Sequence, residues 1–223
     1  MVAHVSIVSS LHNQTNRDYM ARVTDKDYPK YRAAELAKLW DFDYWDGDRR
    51  ICYGGYYYRP GYWKPVAEKL IELYDLHESS TVLDIGCGKG FLLYELVQML
   101  PGLSVTGVDI SRYAKANSHP EVSNSILVGT ADNLPFSSQQ FDLAISLNTF
   151  HNLYNYQLEK ALSEILRVSR NSYLCVESYR NELEKQNLLY WQVTCEMFCT
   201  PDEWNWWFKK CGYNRDYEFI FFK

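Results

Sequence analysis

The segment that constrains the fold of this chain most is Val82-Leu83-Asp84-Ile85-Gly86-Cys87-Gly88-Lys89-Gly90. A short apolar run ends in an acid, three glycines follow at every second position, and a helical pattern then begins. This order is typical of a strand, a tight glycine-rich loop and a helix that together hold a nucleotide-like ligand at the carboxyl end of a parallel strand. The spacing of the glycines therefore bears on which ligand is held.

Strand and helix patterns alternate after this loop. Five apolar runs predict strands over 81–85, 104–109, 125–129, 141–147 and 173–177, and helical patterns follow the first, second and fourth of them. Because parallel strands need crossover connections, this alternation predicts an α/β fold with a doubly wound, mostly parallel sheet. Thr200, Pro201 and Glu203 predict the capped start of a further helix, and a final strand is predicted over 217–222.

The chain divides by composition into two parts. Residues 1–62 form a helical and loop-rich N-terminal extension, and 63–223 form the predicted ligand-binding domain. Within the extension, residues 1–26 are weakly patterned and predicted to be loosely ordered. Aromatic residues make up 16% of the chain and concentrate in both flanks of the α/β region, which suggests that the flanks cover a site.

The composition argues against several classes of partner. With 223 residues, 47% hydrophobic content and a net charge of −5, the chain lacks the basic stripe typical of nucleic-acid binding. No apolar run approaches the length of a membrane span, and six cysteines without a Cys-x-x-Cys pair are interpreted as reduced thiols. We therefore expect a cytoplasmic monomer or homodimer with no nucleic-acid or membrane partner.

The glycine spacing argues against a redox dinucleotide. Gly86, Gly88 and Gly90 form Gly-x-Gly-x-Gly, whereas a dinucleotide loop needs Gly-x-Gly-x-x-Gly. Asp84, just before the loop, would repel a pyrophosphate but attract an ammonium or a sulfonium group. The loop thus favours a cationic ligand, and a tight turn with no ligand is the alternative.

Polar residues follow the other predicted strands. Asp109 ends the second strand, where a carboxylate accepts ribose hydroxyls, although a helix cap at Ser111 is the alternative. The segment 131–136 follows the third strand, where it is either a contact for an adenine amino group or a surface turn. Asn148 and His151 leave the fourth strand at the edge where open α/β sheets bind ligands. A hydrogen-bonded structural residue is the alternative interpretation of His151.

Together these motifs resemble those of the class I S-adenosylmethionine-dependent methyltransferases that act on small molecules. The resemblance covers about 81–177, and it includes 141–146 and the helix that ends with Arg167-Val168. It implies a Rossmann-like methyltransferase fold, with S-adenosylmethionine as the cofactor and S-adenosylhomocysteine as the product. The implied cofactor-binding residues are Asp84, Gly86, Cys87, Gly88, Gly90, Asp109, Ile110, Ala131, Asp132, Asn133 and Asn148.

The chain departs from the family pattern in three places. Arg167-Val168 continues as Ser169-Arg170-Asn171-Ser172 instead of a Lys-Pro-Gly-Gly turn, which predicts a rebuilt turn with Asn171 at positive φ. One final strand stands where the family usually has two antiparallel strands, so the missing strand lies in 188–197 or the sheet edge is reduced. Asn148-Thr149-Phe150-His151 lacks an Asn/Asp-Pro-Pro-Tyr/Phe signature, which disfavours nucleic-acid and protein-amide acceptors.

The resemblance implies that the two aromatic flanks build the acceptor pocket. Tyr53-Gly54-Gly55-Tyr56-Tyr57-Tyr58 is interpreted as a lid with a glycine hinge, or else as a packing loop. The segment 41–48 is a solvated acidic turn or a wall that attracts a cation, and its spacing does not fit a calcium loop, so no metal site is predicted. The predicted substrate-binding residues are Tyr53, Tyr56, Tyr57, Tyr58, His151, Tyr179 and Trp191.

The sequence therefore predicts a methyltransferase that acts on an N, O or C nucleophile of a small metabolite. His151 and Glu177 are the candidate catalytic residues, needed if the nucleophile must lose a proton, and an ion pair of Glu177 with Arg180 is the alternative. The competing functions are a nicotinamide-dependent oxidoreductase and a non-catalytic, cofactor-binding partner subunit.

Overall fold

Six parallel strands form one sheet in the computed structural model, which describes residues 4–13 and 17–223. Their order across the sheet is β3-β2-β1-β4-β5-β6. The order reverses between β1 and β4, and a ligand crevice is expected at this reversal. The strands are β1 (Thr81–Ile85), β2 (Ser104–Asp109), β3 (Ile126–Val128), β4 (Phe141–Leu147), β5 (Ser169–Ser178) and β6 (Asp216–Phe221).

Helices cover both faces of this sheet and give the predicted doubly wound fold. On one face, α5 and α6 contribute Leu70 and Leu96 to a core, and on the other face α8 and α10 contribute Leu162 and Trp204 to a second core. The helices of the described residues are α1 (Ser9–His12), α2 (Tyr19–Thr24), α3 (Lys30–Ala37), α4 (Phe42–Trp45), α5 (Lys64–Leu73), α6 (Phe91–Met99), α7 (Arg112–Ala116), α8 (Asn155–Val168), α9 (Glu182–Trp191) and α10 (Pro201–Lys210).

Strand β4 shows why the apolar runs become buried strands. Leu143 and Ile145 enter the core on one face, whereas Ala144 enters the core on the other face, because successive side chains of a strand alternate. A strand with helices on both faces needs apolar residues at both sets of positions. The predicted capped helix is also found, since Thr200 and Glu203 form a reciprocal capping box at the start of α10.

The last strand confirms a reduced sheet edge and corrects the position suggested for a missing strand. β6 pairs in parallel with β5, for example Val176 with Phe219, and no antiparallel partner occurs among the described residues. The segment 188–197 instead contains the end of α9 and an irregular stretch. Val5 covers the outer edge of β6 by donating its N–H to the Tyr217 carbonyl at 3.0 Å.

The turn predicted after Arg167-Val168 is wrong. Helix α8 ends at Val168, and the backbone enters β5 at Ser169 without a left-handed residue, so Asn171 lies within the strand. Gln139, from another loop, has the positive φ of 56° and donates its N–H to the Arg167 carbonyl at 2.8 Å. A distant residue therefore satisfies the end of α8, which makes a local glycine turn unnecessary.

The prediction of loose order over 1–26 is wrong for the residues that the structure describes, while 1–3 and 14–16 lie outside them. Ile7 and Val8 are buried in the core, and the fully buried Glu218 of β6 holds their backbone. Its carboxylate accepts hydrogen bonds from the N–H groups of Ile7, Val8 and Ser9 at 2.8, 2.7 and 2.8 Å. Tyr173 donates its hydroxyl to the same carboxylate. The weak local pattern concealed this order because the partner lies more than 200 positions away.

Replacing Glu218 with Gln is expected to lower the free energy of unfolding by about 3 kcal/mol at pH 7, because buried donors lose an acceptor. Burial by itself would raise the pKa of Glu218, but hydrogen bonds from Ser9, Tyr173 and the backbone outweigh burial and lower it. This stabilisation is therefore complete above the ordinary glutamate pKa and is lost as the pH falls through the lowered one. Urea unfolding at pH 7 and pH 4 measures it, with the exposed capping residue Glu203→Gln as control. Equal stability of Glu218→Gln and wild type at pH 7 would contradict the assignment.

Candidate functional site

A cavity of about 630 Å³ opens at the carboxyl edge of the sheet. It lies at the reversal between β1 and β4, beneath the N-terminal extension, and its size is that of a small-molecule site. One side is formed by the glycine loop and the ends of β1 and β2, and we call this side the cofactor half. The other side is formed by the ends of β4 and β5, the N-terminal extension and Trp191, and we call it the acceptor half.

The glycine loop lies in close contact with two side chains of the cavity wall. Gly86 and Gly88 have φ values of 83° and 55°, which disfavour any residue with a side chain. A Cβ atom at Gly86 would lie 2.0 Å from Oγ1 of Thr149, and one at Gly88 would lie 2.8 Å from Cη2 of Trp45. These two glycines therefore permit the close approach that a ligand-binding loop needs.

Two buried carboxyl groups face the cofactor half. Asp109 accepts hydrogen bonds from the N–H groups of Gly88 and Ser111, each at 2.8 Å, so it joins the glycine loop to the end of β2. Ser111, not Asp109, caps α7. Asp84 is only 4% exposed and accepts no hydrogen bond from the described residues. Burial and the charge of Asp109 raise the pKa of Asp84 to about 8. A cationic group of a ligand would relieve this repulsion.

Asp84→Asn is expected to stabilise the ligand-free protein by about 2 kcal/mol at pH 8, and by much less at pH 5. Between its ordinary pKa and about 8, Asp84 is protonated in the folded protein and ionised in the unfolded chain. Wild-type stability therefore falls as the pH rises through this window, and asparagine removes the loss. Thermal unfolding at both pH values measures the effect. Asp142→Asn is a control with the opposite expected sign. Hydrogen bonds and the charge of Arg170 lower the pKa of Asp142, so this substitution should lower stability at pH 8. An Asp84→Asn protein no more stable than wild type at pH 8 would contradict this account.

His151 and Glu177 come together in the acceptor half, from the 3-10 turn after β4 and from β5. The His151 Nε2 atom lies 3.3 Å from Glu177 Oε2, and both side chains are buried. The Glu177 N–H donates to His151 Nδ1 at 3.4 Å, which leaves the proton of the neutral imidazole on Nε2. Burial lowers the pKa of His151 to about 3 and raises that of Glu177 to about 8.

One carboxylate oxygen of Glu177 is buried and lacks a hydrogen-bond partner among the described residues. Gln192 donates to Oε1, whereas Oε2 makes no well-aligned hydrogen bond with the described residues despite its proximity to His151. The alternative ion pair with Arg180 is wrong, because Arg180 pairs with Glu184 instead. A buried acceptor atom without a good donor is costly unless a ligand satisfies it.

The N-terminal extension is tied directly to the glycine loop. Lys89, only 3% exposed, forms an ion pair with Asp46 at 2.7 Å, and Tyr56 donates its N–H to Asp46 at 3.0 Å. Trp45 covers Gly88 and donates its Nε1–H to Ser111 at 2.9 Å. Both interpretations of 41–48, a solvated turn and a cation-attracting wall, are wrong for Asp46, because Lys89 neutralises it.

The tyrosine segment 53–58 forms part of the cavity wall. Tyr53 stacks on Trp45 with ring centroids 5.6 Å apart, and Tyr56 and Tyr57 also line the cavity. Gly55, at a φ of 109°, donates its N–H to the Trp45 carbonyl at 3.0 Å. The structure therefore shows the segment packed against Trp45 at the cavity wall, and its action as a lid stays a prediction.

The structure places fifteen of the predicted site residues at the cavity. On the cofactor half they are Asp84, Gly86, Cys87, Gly88, Asp109, Ile110, Ala131 and Asp132. Asn148 lies between the two halves, with a strained φ of 55°. On the acceptor half they are Tyr53, Tyr56, Tyr57, His151, Glu177 and Trp191. Their contacts with a ligand stay predictions.

Four predicted residues lie elsewhere. Gly90 begins α6, and the space of its absent Cβ faces Ile126, so its smallness serves helix packing. Asn133 is exposed on a turn. Tyr58 turns away from the cavity to donate its hydroxyl to Glu95 at 2.9 Å, and Tyr179 is buried in the core beside the sheet. Contacts outside the cavity explain the positions of Gly90, Tyr58 and Tyr179, whereas Asn133 faces solvent.

Sequence reasoning missed several side chains that line the cavity. Trp45 and Thr149 touch the glycine loop, and three arginines, Arg17, Arg22 and Arg49, line the acceptor half. Basic residues in a weakly patterned extension carry no local sign of such a position. Trp45 lies within the acidic segment 41–48, whose composition predicted a turn or a cation-attracting wall and gave no sign of the contact with the glycine loop.

Solved structures share the fold of this chain. One is a chain in the complex between the Haloferax volcanii Trm112 methyltransferase activator and a methyltransferase, with a TM-score of 0.54, 23% identity and 66% of both chains covered. Another is YcgJ from Bacillus subtilis, with a TM-score of 0.54 and 20% identity over 65% of this chain and 66% of that one. At these identities the likeness concerns the fold.

Sequence matches cover the central part of the chain. Residues 82–172 match the family model of a methyltransferase domain. A malonyl-[acyl-carrier protein] O-methyltransferase of Geobacter sulfurreducens is 32% identical over 47% of this chain and 41% of that protein. A tRNA (carboxymethyluridine(34)-5-O)-methyltransferase of Arabidopsis thaliana is 30% identical over 52% and 28%. The chain spans less than half the length of these two curated relatives. Residues 82–172 therefore form a methyltransferase domain of the class I S-adenosylmethionine-dependent kind.

Proposed function

We propose that the protein binds S-adenosylmethionine in the cofactor half and transfers its methyl group to an N, O or C nucleophile of a small molecule in the acceptor half. The observation that carries this proposal is the presence, in one cavity, of the Asp84–Asp109 carboxyl pair and the unsatisfied Glu177 oxygen. The carboxyl pair suits a cationic cofactor, and the Glu177 oxygen suits an acceptor group that gives up a proton.

The residues of the cofactor half fit the proposed cofactor. Asp109 is placed to accept ribose hydroxyls at the end of β2, and Asp84 supplies a charge for the cofactor's ammonium group. Ile110, whose side chain is 50% exposed at the cavity, offers an apolar surface for the adenine ring. Ala131 and Asp132 lie beside it for contacts with the adenine edge.

In the proposed reaction the protein positions the reactants and removes a proton. The cofactor supplies a methyl group on a positively charged sulfur, which a nucleophile displaces in line. Trp45, Tyr53 and Tyr56 orient the acceptor and exclude water, so that the nucleophile is held in line with the bond that breaks. In its ionised form, Glu177 accepts the proton of the nucleophile at Oε2, which lies 3.3 Å from Nε2 of neutral His151.

A small acceptor is favoured by the closed form of the site. The extension covers the cavity, and its volume of about 630 Å³ must hold both the cofactor and the acceptor. The relatives named above act on an acyl-carrier protein and on tRNA, so a small acceptor rests on this cavity alone. Among the described residues no helix is both long and apolar enough to span a bilayer. The six free thiols support a cytoplasmic location. We propose that the protein acts as a monomer or a homodimer.

Calorimetric titration of the protein with S-adenosylhomocysteine tests the function, with NADH as a parallel titrant. We expect one-to-one binding of S-adenosylhomocysteine and no binding of NADH. Absence of the first would overturn the proposal, and binding of NADH alone would favour the oxidoreductase. Incubation with methyl-labelled cofactor and fractionated metabolites then identifies the acceptor. Cofactor binding without any labelled product would favour the non-catalytic partner subunit.

A further inference from the structure

Three arginines of the N-terminal extension converge on one indole ring in the acceptor half. The Cζ atoms of Arg17, Arg22 and Arg49 lie 5.6, 5.1 and 5.4 Å from the ring centroid of Trp191. All four side chains line the cavity. Stacking of a guanidinium on an aromatic face is favourable and fixes the plane of the cation.

The hydrogen bonds of this arginine cluster orient the cations but leave their charge in place. Arg22 donates to the Ile51 carbonyl at 2.7 Å, Arg49 donates to the Cys52 carbonyl, and Arg17 donates to the His12 carbonyl at 3.3 Å. Neither Arg22 nor Arg49 forms an ion pair with a carboxylate of the described part of the chain. Among the described residues, half-buried Arg22 and exposed Arg49 thus present two cations without a carboxylate partner on one wall, which favours an anion from outside.

Other charges around the cluster strengthen this need. Lys30 lies on the same side, where it donates to the Leu189 carbonyl, and the charge of Arg22 helps to lower its pKa. Burial lowers the pKa of Arg17 and of Arg22, as expected for cations held partly away from water. The acid Glu196 is already engaged by Lys38. Glu177 is the acid that remains near the cluster; burial raises its pKa, and the charge of Arg17 acts in the opposite direction.

The position of the cluster separates it from the cofactor half. Trp191 ends α9, the helix that follows β5, and Arg17 also lies 5.1 Å from the ring of Phe222, just beyond β6. β5 is two strands away from β1, so about 10 Å of sheet separates its end from the end of the strand that carries the glycine loop. An anion at the cluster therefore lies on the acceptor side, next to Glu177.

We propose that the acceptor carries an oxyanion group, a carboxylate or a phosphate, which binds to the guanidinium groups of Arg22, Arg49 and Arg17. This inference rests on the proposed function and narrows its substrate class. The planar forks of the arginines match two oxygens of such a group, and Trp191 contacts the adjoining apolar part. The nucleophilic atom of the same molecule then lies toward Glu177 Oε2, where its proton is accepted while its lone pair bonds to the methyl carbon. The S–CH₃ bond breaks in the same step, and its electron pair stays on sulfur.

Calorimetry on protein saturated with S-adenosylhomocysteine tests the proposal, with sodium malonate and sodium pyrophosphate as the two probes. We expect at least one probe to bind, and the tighter one to indicate whether a carboxylate or a phosphate is preferred. Arg22→Gln and Arg49→Gln should each weaken that binding by about tenfold or more, whereas Arg22→Lys should lose less. Arg170→Gln is the control, because Arg170 lies at the opposite end of β5, paired with Asp142. It should change probe binding by less than about twofold.

Three results would overturn the inference. They are binding of neither probe, an equal loss in Arg170→Gln, and a loss of S-adenosylhomocysteine affinity in Arg22→Gln that matches its loss of probe affinity. The last result would show that the cluster binds the carboxylate of the cofactor. Failure of wild type to bind S-adenosylhomocysteine would instead overturn the proposed function. Arg49 is exposed, so Arg49→Gln provides a readout even where Arg22→Gln unfolds.

Discussion

A valine at position 88 is expected to weaken the binding of S-adenosylhomocysteine by at least about 100-fold, or ~2.7 kcal/mol. Gly88 has a φ of 55°, and a Cβ atom there would lie 2.8 Å from the ring of Trp45. That ring cannot easily retreat, because its Nε1–H is bonded to Ser111. The N–H of Gly88 also donates to Asp109, so any shift of the loop moves the group expected to bind ribose. Calorimetry gives the affinity directly.

The control for this substitution is Gly212→Val in the turn before β6. Gly212 has a φ of 69°, so valine suffers a similar backbone strain of about 1–2 kcal/mol. A Cβ atom at Gly212 meets no atom within 4 Å, so the strain comes without a clash. We therefore expect lower thermal stability in both variants but lost affinity only in Gly88→Val. Unchanged affinity in a folded Gly88→Val protein would show that the loop does not form the cofactor site.

Glu177→Gln is expected to lower turnover by about 10²- to 10⁴-fold, the usual contribution of a general base. Oε2 of Glu177 is the buried acceptor atom that lacks a well-aligned partner, and glutamine keeps the shape but cannot take a proton. The affinity for S-adenosylhomocysteine should change by less than about twofold, because Glu177 lies in the acceptor half. Rates are measured with methyl-labelled cofactor and the acceptor identified by labelling.

The pH dependence of the same variant provides a second test. Burial raises the pKa of Glu177 to about 8, so the ionised base becomes more abundant, and wild-type turnover should rise, as the pH rises through 8. Glu177→Gln should lose this rise. The same shift makes the folded protein bind a proton that the unfolded chain has released between the ordinary glutamate pKa and 8. Wild-type stability therefore falls across that window, and Glu177→Gln should be the more stable protein at pH 8.

Glu184→Gln is the matched control for the second prediction. Glu184 is equally buried and lies in the helix after β5, but its carboxylate is satisfied by Arg180. Its substitution should lower stability, since Arg180 loses its partner, and should leave turnover near that of wild type. Similar turnover in Glu177→Gln and wild type would remove Glu177 from the chemistry.

The cofactor half was largely predictable from the sequence because it is built from short segments. Asp84, Gly86 and Gly88 belong to one loop, and Asp109 ends the next strand, so a parallel sheet places them at the same edge. Gly90 shows the limit of such reasoning. It belongs to the motif, yet its smallness serves the packing of α6 against Ile126, a contact that no spacing reveals.

The acceptor half was predictable only in part. An aromatic segment predicted a cover over the site, but not that Asp46 would pair with Lys89 or that Tyr58 would face Glu95. In the arginine cluster, residues 17, 22 and 49 lie next to Trp191, which is about 140 positions or more away in the sequence. Local patterns indicate whether a residue suits a helix or a strand, but they do not predict which distant residues it contacts.

The sequence by itself determined the α/β architecture, the glycine loop and the acids at the ends of the first two strands, because periodicity and backbone constraints act between near neighbours. Tertiary structure alone decided that Glu218 orders the N-terminal segment, that Gln139 ends α8, and that His151 meets Glu177. Tertiary structure also decided that the arginine cluster lies beside Trp191 in the acceptor half. These features depend on burial, which raises the cost of any unpaired charge or donor and thereby selects partners from the whole chain.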